Sequence, residues 1–104
     1  MQIVPTQPVP YQIIIVQLNG QNCQINVRQL FYGIFVDLLV NNVLLIGGVL
    51  AQDRNILVIS PYLGFIGDLM FIDNEGTQDP YYTGLGARYS LAYLAPGEYP
   101  AGTE

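Results

Sequence analysis

The sequence predicts an all-β fold, a single small antiparallel sandwich or barrel of about seven short strands. Three observations carry this. Asparagine-containing pairs, Asn19-Gly20 and Asn41-Asn42, each divide two runs rich in valine, isoleucine and leucine. Apolar and polar residues alternate with period two through much of those runs. Glycine and proline recur at short intervals, and the one competing helix, over residues 38–51, is weakened by β-branched residues, paired asparagines and paired glycines.

Residues 1–10 contain Pro5, Pro8 and Pro10. Proline fixes φ and lacks a backbone donor, so the segment is expected to be an extended arm outside any central sheet. Ile3, Val4 and Val9 give it apolar surface. A neighbouring subunit is expected to cover that surface, leaving the arm mobile in the isolated chain. The β domain proper is expected over residues 11–94, followed by a tail over 95–104 that contains Pro96, Gly97, Pro100 and Gly102.

Within residues 11–30, Asn19-Gly20 is the preferred pair for a two-residue type I′ hairpin loop. It sets Leu18 opposite Gln21, Val16 opposite Cys23, Ile14 opposite Ile25 and Gln12 opposite Val27. Ile14, Val16, Leu18, Cys23, Ile25 and Val27 then share a core face. Ile13, Ile15, Gln17, Gln24, Asn26 and Arg28 share the other. That second face is only half polar, and its two isoleucines need cover.

Residues 33–50 repeat the scheme about Asn41-Asn42. Regular pairing places Ile34, Val36, Leu38, Val40, Val43, Leu45 and Val49 on one face, with Phe35, Asp37, Leu39, Leu44 and Ile46 on the other. Both faces are apolar, which predicts a strand pair held between layers. Short strands are expected at 56–59 and 63–72, the latter with Gly64 and Gly67 permitting either a bulge with close backbone approach or simple relief of crowding. A turn at 73–76 leads into a polar loop ending near Gly86. Residues 88–94 alternate Tyr89, Leu91 and Tyr93 against Arg88, Ser90 and Ala92, as a half-exposed last strand would.

Composition narrows the function. Half of the residues are hydrophobic (51%) and only 11% are charged. A domain of this size covers its surface mainly with charged and polar side chains, so much of this surface is expected to be covered by other protein. The apolar run at 38–51 is broken by asparagines and glycines and falls short of the ~20 residues that a spanning helix needs, so no membrane partner is expected. The basic residues are only Arg28, Arg54 and Arg88 against a formal charge of −5, which argues against nucleic acid. The N-terminal segment has no basic region before an unbroken apolar stretch, so assembly in the cytoplasm is expected.

Catalytic and metal chemistry find little material. The chain has no histidine and no lysine, and Ser60, Ser90 and Cys23 have no recognisable base nearby in sequence. Cys23 falls on the core face and reads as an inert thiol. Asp73, Glu75 and Asp79 around Gly76 have the oxygens of a calcium loop but not its spacing, and read as a solvated turn. A carboxylate hydrolase would require two acids converging in a cleft. No cofactor or metal is expected. Tyr62, Tyr81, Tyr82, Tyr89, Tyr93 and Tyr99 suit a protein interface, since tyrosine combines large area with low rotamer entropy. The alternative is a small β-barrel module that stacks a glycan or other ligand on those rings. The expected interface residues are Ile13, Ile15 and Phe35 on the second strand faces, with Tyr62, Phe65, Tyr81 and Tyr82 in the aromatic segments.

Further residues carry a resemblance. Leu45-Ile46-Gly47, Pro61-Tyr62-Leu63-Gly64-Phe65-Ile66-Gly67-Asp68-Leu69, Asp79-Pro80-Tyr81-Tyr82, Leu85-Gly86 and Tyr89-Ser90-Leu91-Ala92-Tyr93 occur in that order. Over residues 9–94 the chain resembles the baseplate plug-like small structural proteins of contractile-tailed bacteriophages. The resemblance implies a non-enzymatic virion component, all-β, present in several copies around the tail axis. Its implied partners are other tail and baseplate proteins and copies of itself. It supplies no catalytic residue.

Overall fold

Asn19 and Gly20 both have positive φ, 52° and 76°, as a type I′ turn requires. In the computed structural model, which describes residues 1–58 and 64–98, this turn joins β2 (Tyr11–Leu18) to β3 (Gln21–Leu30). The observed register runs from Tyr11 opposite Arg28 to Leu18 opposite Gln21, as expected from the turn alone. Asn41 and Asn42, at 51° and 66°, make the equivalent turn between β4 (Gly33–Val40) and β5 (Val43–Leu50). The four strands form one antiparallel meander in chain order.

A second antiparallel sheet has the order β1 (Gln2–Val4), β7 (Tyr89–Leu94), β6 (Asp68–Asp73). The two sheets face each other as a sandwich and do not close into a barrel. Ile25, Val27, Ile34, Val36 and Leu38 from the larger sheet meet Val4, Leu69, Phe71, Leu91 and Tyr93 from the smaller in a single core. Cys23 lies in that core, and burial pushes its thiol pKa up.

Five expectations are corrected by this arrangement. The first ten residues are not an arm that only a neighbour orders: Gln2, Ile3 and Val4 pair with Tyr93, Ala92 and Leu91 of the same chain, and Val4 is buried. Pro5 ends the pairing, which is why β1 stops after three residues at the sheet edge. Residues 56–58 do not form a regular strand; only Ile56 makes an isolated bridge, to Met70, and Ile59 lies outside the described residues. The strand expected at 63–72 begins at Asp68. The last strand is buried on both faces rather than half exposed, because β7 is the central strand of its sheet, with Ala92 and Leu94 as inaccessible as Leu91 and Tyr93.

The fifth correction concerns β5. Leu39 pairs with Leu44 but Leu38 with Ile46, and Val36 with Val49, so β5 carries an extra residue at two places. The first bulge turns Ile46 onto the core face beside Leu38, where it is buried, instead of the outer face. The second uses Gly47-Gly48. Gly48 has φ 64°, and its N–H donates to the Asp37 carboxylate at 2.7 Å, so the bulge is held by a side chain from the adjacent strand. The outer face of β4 and β5 is therefore not enclosed within the chain. Phe35 and Leu39 are half-buried, while Leu44 and Leu50 are exposed.

Gly67 resolves the choice left open for the glycine pair near β6. Its φ is 98°, and a Cβ there would lie 2.3 Å from the Leu94 carbonyl oxygen and within 2.7 Å of Tyr93 side-chain atoms. Close approach of β7, not relief of crowding, requires glycine here. Gly64 has φ 82° but open space around it, so at that position the backbone conformation is the constraint.

Two outcomes test this account by urea unfolding. Ile25→Ala, at a fully buried core site, is expected to cost about 2–5 kcal/mol, whereas Ile15→Ala on the open face stays within about 0.5 kcal/mol. Gly67→Ala is expected to lower stability by more than about 1 kcal/mol, since both the φ and the space are wrong for a Cβ; an unchanged unfolding midpoint would refute the close-approach account.

Candidate functional site

The larger sheet presents an open outer face whose composition changes from strand to strand. Cross-strand rows run Tyr11–Arg28–Phe35–Leu50, Ile13–Asn26–Asp37 and Ile15–Gln24–Leu39–Leu44. Apolar side chains stand on β2 and on β4–β5, and a polar column on β3 separates them. Ile13 and Ile15 remain 51% and 73% exposed. The chain is nevertheless compact, with a radius of gyration of 12.5 Å against about 13 Å expected at this length, so the exposure is not a product of an open shape.

The polar column is internally bonded. Arg28 pairs with Asp37 at 2.9 Å, Asn26 donates to the other Asp37 oxygen at 3.3 Å, Gln24 donates to Asn26 at 3.0 Å, and Gln17 donates to Asn22 at 2.9 Å. Burial opposes ionisation of Asp37. Hydrogen bonds from Arg28, the Gly48 amide and Asn26, with the Arg28 charge, outweigh it and hold the carboxyl below its ordinary pKa. These groups are occupied in hydrogen bonds to one another and, at Asp37, to the Gly48 amide. A depression of about 220 Å³ at one end of the face is bordered by Ile15, Asn22, Cys23, Gln24, Asn41 and Asn42. Its one titratable group, Cys23, is buried, and that burial keeps the thiol protonated by pushing its pKa up.

The β3–β4 turn adds a feature that the sequence reading missed. Phe31 and Tyr32 project from the turn, 93% and 81% exposed, with their rings 5.2 Å apart and edge to face. They fall between the two hairpins recognised by their asparagines. The adjacent pair of aromatics at a turn, where glycine and polar residues are usual, was the available signal. Near this turn, Gln29 accepts the N–H of Tyr82, which docks the 81–84 loop on the larger sheet.

The other expected interface residues separate. Tyr81 is half exposed and stacks at 5.1 Å on the partly buried Tyr82. Phe65 is buried in the core, edge-on to Tyr93 at 5.9 Å, and is not part of any surface. Tyr93 donates its hydroxyl to the Ile66 carbonyl, and Tyr89 is also buried. Tyr62 and Tyr99 lie outside the described residues. The six-tyrosine surface considered from sequence is thus reduced, among the described residues, to Tyr81 and Tyr82.

The acidic turn is also different from expectation. Asp73 is buried, not solvated. One of its oxygens accepts from the Glu75 amide and Arg88 Nε, both at 2.9 Å; the other accepts from the Gln78 amide at 2.9 Å and Arg88 at 2.8 Å. The Arg88 bonds foremost, with the two amides, hold the Asp73 carboxyl well below the usual carboxylate range against the opposing effect of burial. Asp53 accepts the Asp73 N–H, and Asp79 accepts the Asp53 N–H. These acids organise a loop through N–H donors. Among the described residues no group of three potential ligands could hold a metal ion.

The chain matches the model of the family described as cyanophage baseplate Pam3 plug gp18 over residues 1–96. It belongs to that family. The match includes β1 and the proline segment, which the resemblance over 9–94 had left uncovered. It makes this plug-family chain a phage baseplate protein of a structural family, with the virion tail as its location. No curated protein matches it. Two of the glycines that carried the resemblance are explained by packing: Gly67 lies under Leu94, and a Cβ on Gly86, whose φ is 84°, would lie 2.5 Å from the Thr6 carbonyl oxygen.

Asp73 provides the pH test. Its folded pKa is depressed, so its contribution to stability is fully present above its unfolded pKa and is lost as pH falls below about 4 toward the folded value. Asp73→Asn is therefore expected to melt well below the parent at neutral pH, with the gap narrowing as acid is added. Parallel melting curves from neutral to acid pH would exclude the ion pair as the source.

Proposed function

We propose that this chain is an interaction-only baseplate part, packed in multiple copies around the tail axis against tube, sheath or hub proteins. Its proposed contact surface is the outer face of the larger sheet, Ile13, Ile15 and Phe35, continued by Phe31 and Tyr32 at the turn and by Tyr81 and Tyr82. The observation that carries this reading is the pair of exposed isoleucines on a compact, regularly paired sheet. Leaving apolar side chains in water costs about 25 cal/mol per Å², and a covering protein recovers it. The hydrogen-bonded polar column between the apolar rows supports the same reading, because its side chains are pre-ordered and lose little entropy when covered. Tyr62, expected from the sequence to join this surface, lies outside the described residues.

The alternative, a glycan-binding module, rested on a cluster of tyrosines. Tyr89 and Tyr93 contribute to the core instead, and no separate observation favours it.

The test is incorporation into particles. Phe31→Glu and Phe35→Glu, supplied in place of the parent protein, are expected to fold with near-parental melting temperatures and to be lost from purified virions as measured by mass spectrometry. Parental stoichiometry in particles for both variants would overturn the proposed surface.

A further inference from the structure

Among the described residues this sandwich has four strand edges, and three are obstructed. β1 is three residues long and runs into Pro5. The outer edge of β6 is taken by residues 54–57, where the Arg54 and Leu57 amides donate to the Phe71 and Leu69 carbonyls at 2.8 and 2.9 Å. β5 is interrupted by its two bulges. β2 has none of these devices. It is eight residues long, pairs with β3 without a register shift, and contains no charged residue and no proline. Unprotected edges of this kind are what natural β proteins usually avoid.

The direction of its backbone groups follows from the ladder. Gln29, opposite Pro10, donates to the Pro10 carbonyl at 2.7 Å, so residue 10 of the strand pair points its backbone toward β3. Antiparallel alternation then directs Gln12, Ile14, Val16 and Leu18 toward β3 as well. Tyr11, Ile13, Ile15 and Gln17 point their N–H and C=O groups outward. Among the described residues no element pairs with them.

We propose that the β2 edge is a pairing site for a second copy of this chain, joining two larger sheets through antiparallel β2–β2 contact about a two-fold axis at Ile14. The register is determined by the residues. A two-fold perpendicular to the sheet keeps core faces together, so residues of like parity must oppose each other. Hydrogen-bonded pairs must both present outward groups. The alignment that uses all four outward residues sets Tyr11 opposite Gln17 of the second copy and Ile13 opposite its Ile15. Each of the four pairs exchanges two backbone hydrogen bonds. It also brings two isoleucines of each copy together on the outer face, where both are exposed in the single chain. The strand carries no charge, so self-pairing brings no like charges into opposition. A one-pair slip either way leaves an outward residue unpaired at each end. The proposal rests on strand geometry and not on the baseplate reading.

The experiment uses the purified full chain, with sedimentation velocity across the micromolar range. The parent is expected to show a concentration-dependent dimer. Ile15→Pro removes an N–H that β3 does not use, and Ile15→Lys places a charge on each side of the joint. Both are expected to be monomeric with unchanged circular dichroism. Ile14→Cys tests the register independently: the two copies of residue 14 face each other as a non-hydrogen-bonded pair, with Cα atoms about 4.5 Å apart, within disulfide range. Mild oxidation is expected to link Ile14→Cys as a dimer, but not Gln12→Cys, which would face Val16 of the other copy. The buried Cys23 of the parent stays unlinked under the same conditions. A parent chain that remains monomeric throughout, or a dimer that persists in folded Ile15→Lys without Ile14→Cys cross-linking, would overturn the proposal. A monomeric parent would leave the baseplate reading intact.

Discussion

One core serves both sheets, and that constraint organises the rest of the molecule. A sandwich of this length has only two inner faces, and the residues that meet across them, from Ile25 and Leu38 on one side to Phe71 and Leu91 on the other, are fully buried. Each sheet must then dispose of its outer face in some other way. The smaller sheet makes β7 its central strand and uses small Ala92 beside Met70, so that these two and Leu94 on its reverse side are also withdrawn from water, while Ile3 on the edge strand stays exposed. The larger sheet leaves its reverse side open. The asymmetry between the sheets, rather than any pocket, is what gives the chain a direction in which to interact.

The few charges are placed as fasteners. Arg28 with Asp37 holds the bulge of β5, Arg88 with Asp73 closes the loop after β6, and Arg54 bridges Asp53 to the Gly76 carbonyl. Asp68 uses one oxygen to accept three amides, from Leu57, Val58 and Leu69, which ties an irregular segment to the start of β6. Buried carboxylates are costly unless every oxygen finds donors, and here backbone amides supply many of them. A chain with so few ionic groups can use them in this way because solubility is not left to them alone; the uncharged amides of β3 also face outward.

The meander was legible because its determinants are local. Asn19-Gly20 dictates a turn, the turn dictates a register, and the register sorts Ile14 from Ile15 without reference to any distant residue. Ile46 was misplaced because a bulge depends on a partner strand: nothing within 43–50 announces that an extra residue enters between Leu44 and Ile46. Val4 and Ala92 were misjudged for a related reason. Whether an alternating strand ends up central or at an edge is decided by what arrives beside it, and β1 arrives from the far end of the sequence. The candidate surface was half legible. Ile13 and Ile15 stood out against polar neighbours on one face, but Phe65 looked equally available until its ring was seen packed on Tyr93, and Phe31-Tyr32 lay outside every alternating run.

The pairing of β1 with β7 also imposes an order of events. Gln2 meets Tyr93 across nearly the whole chain, whereas β2 to β5 are joined by tight turns and need only short loop closures. On the ribosome the meander can assemble as it emerges, with one side of its future core still uncovered. The residues synthesised first are among the last to find their place, and until β7 is released the apolar inner face of the meander is the segment that a chaperone would need to shield.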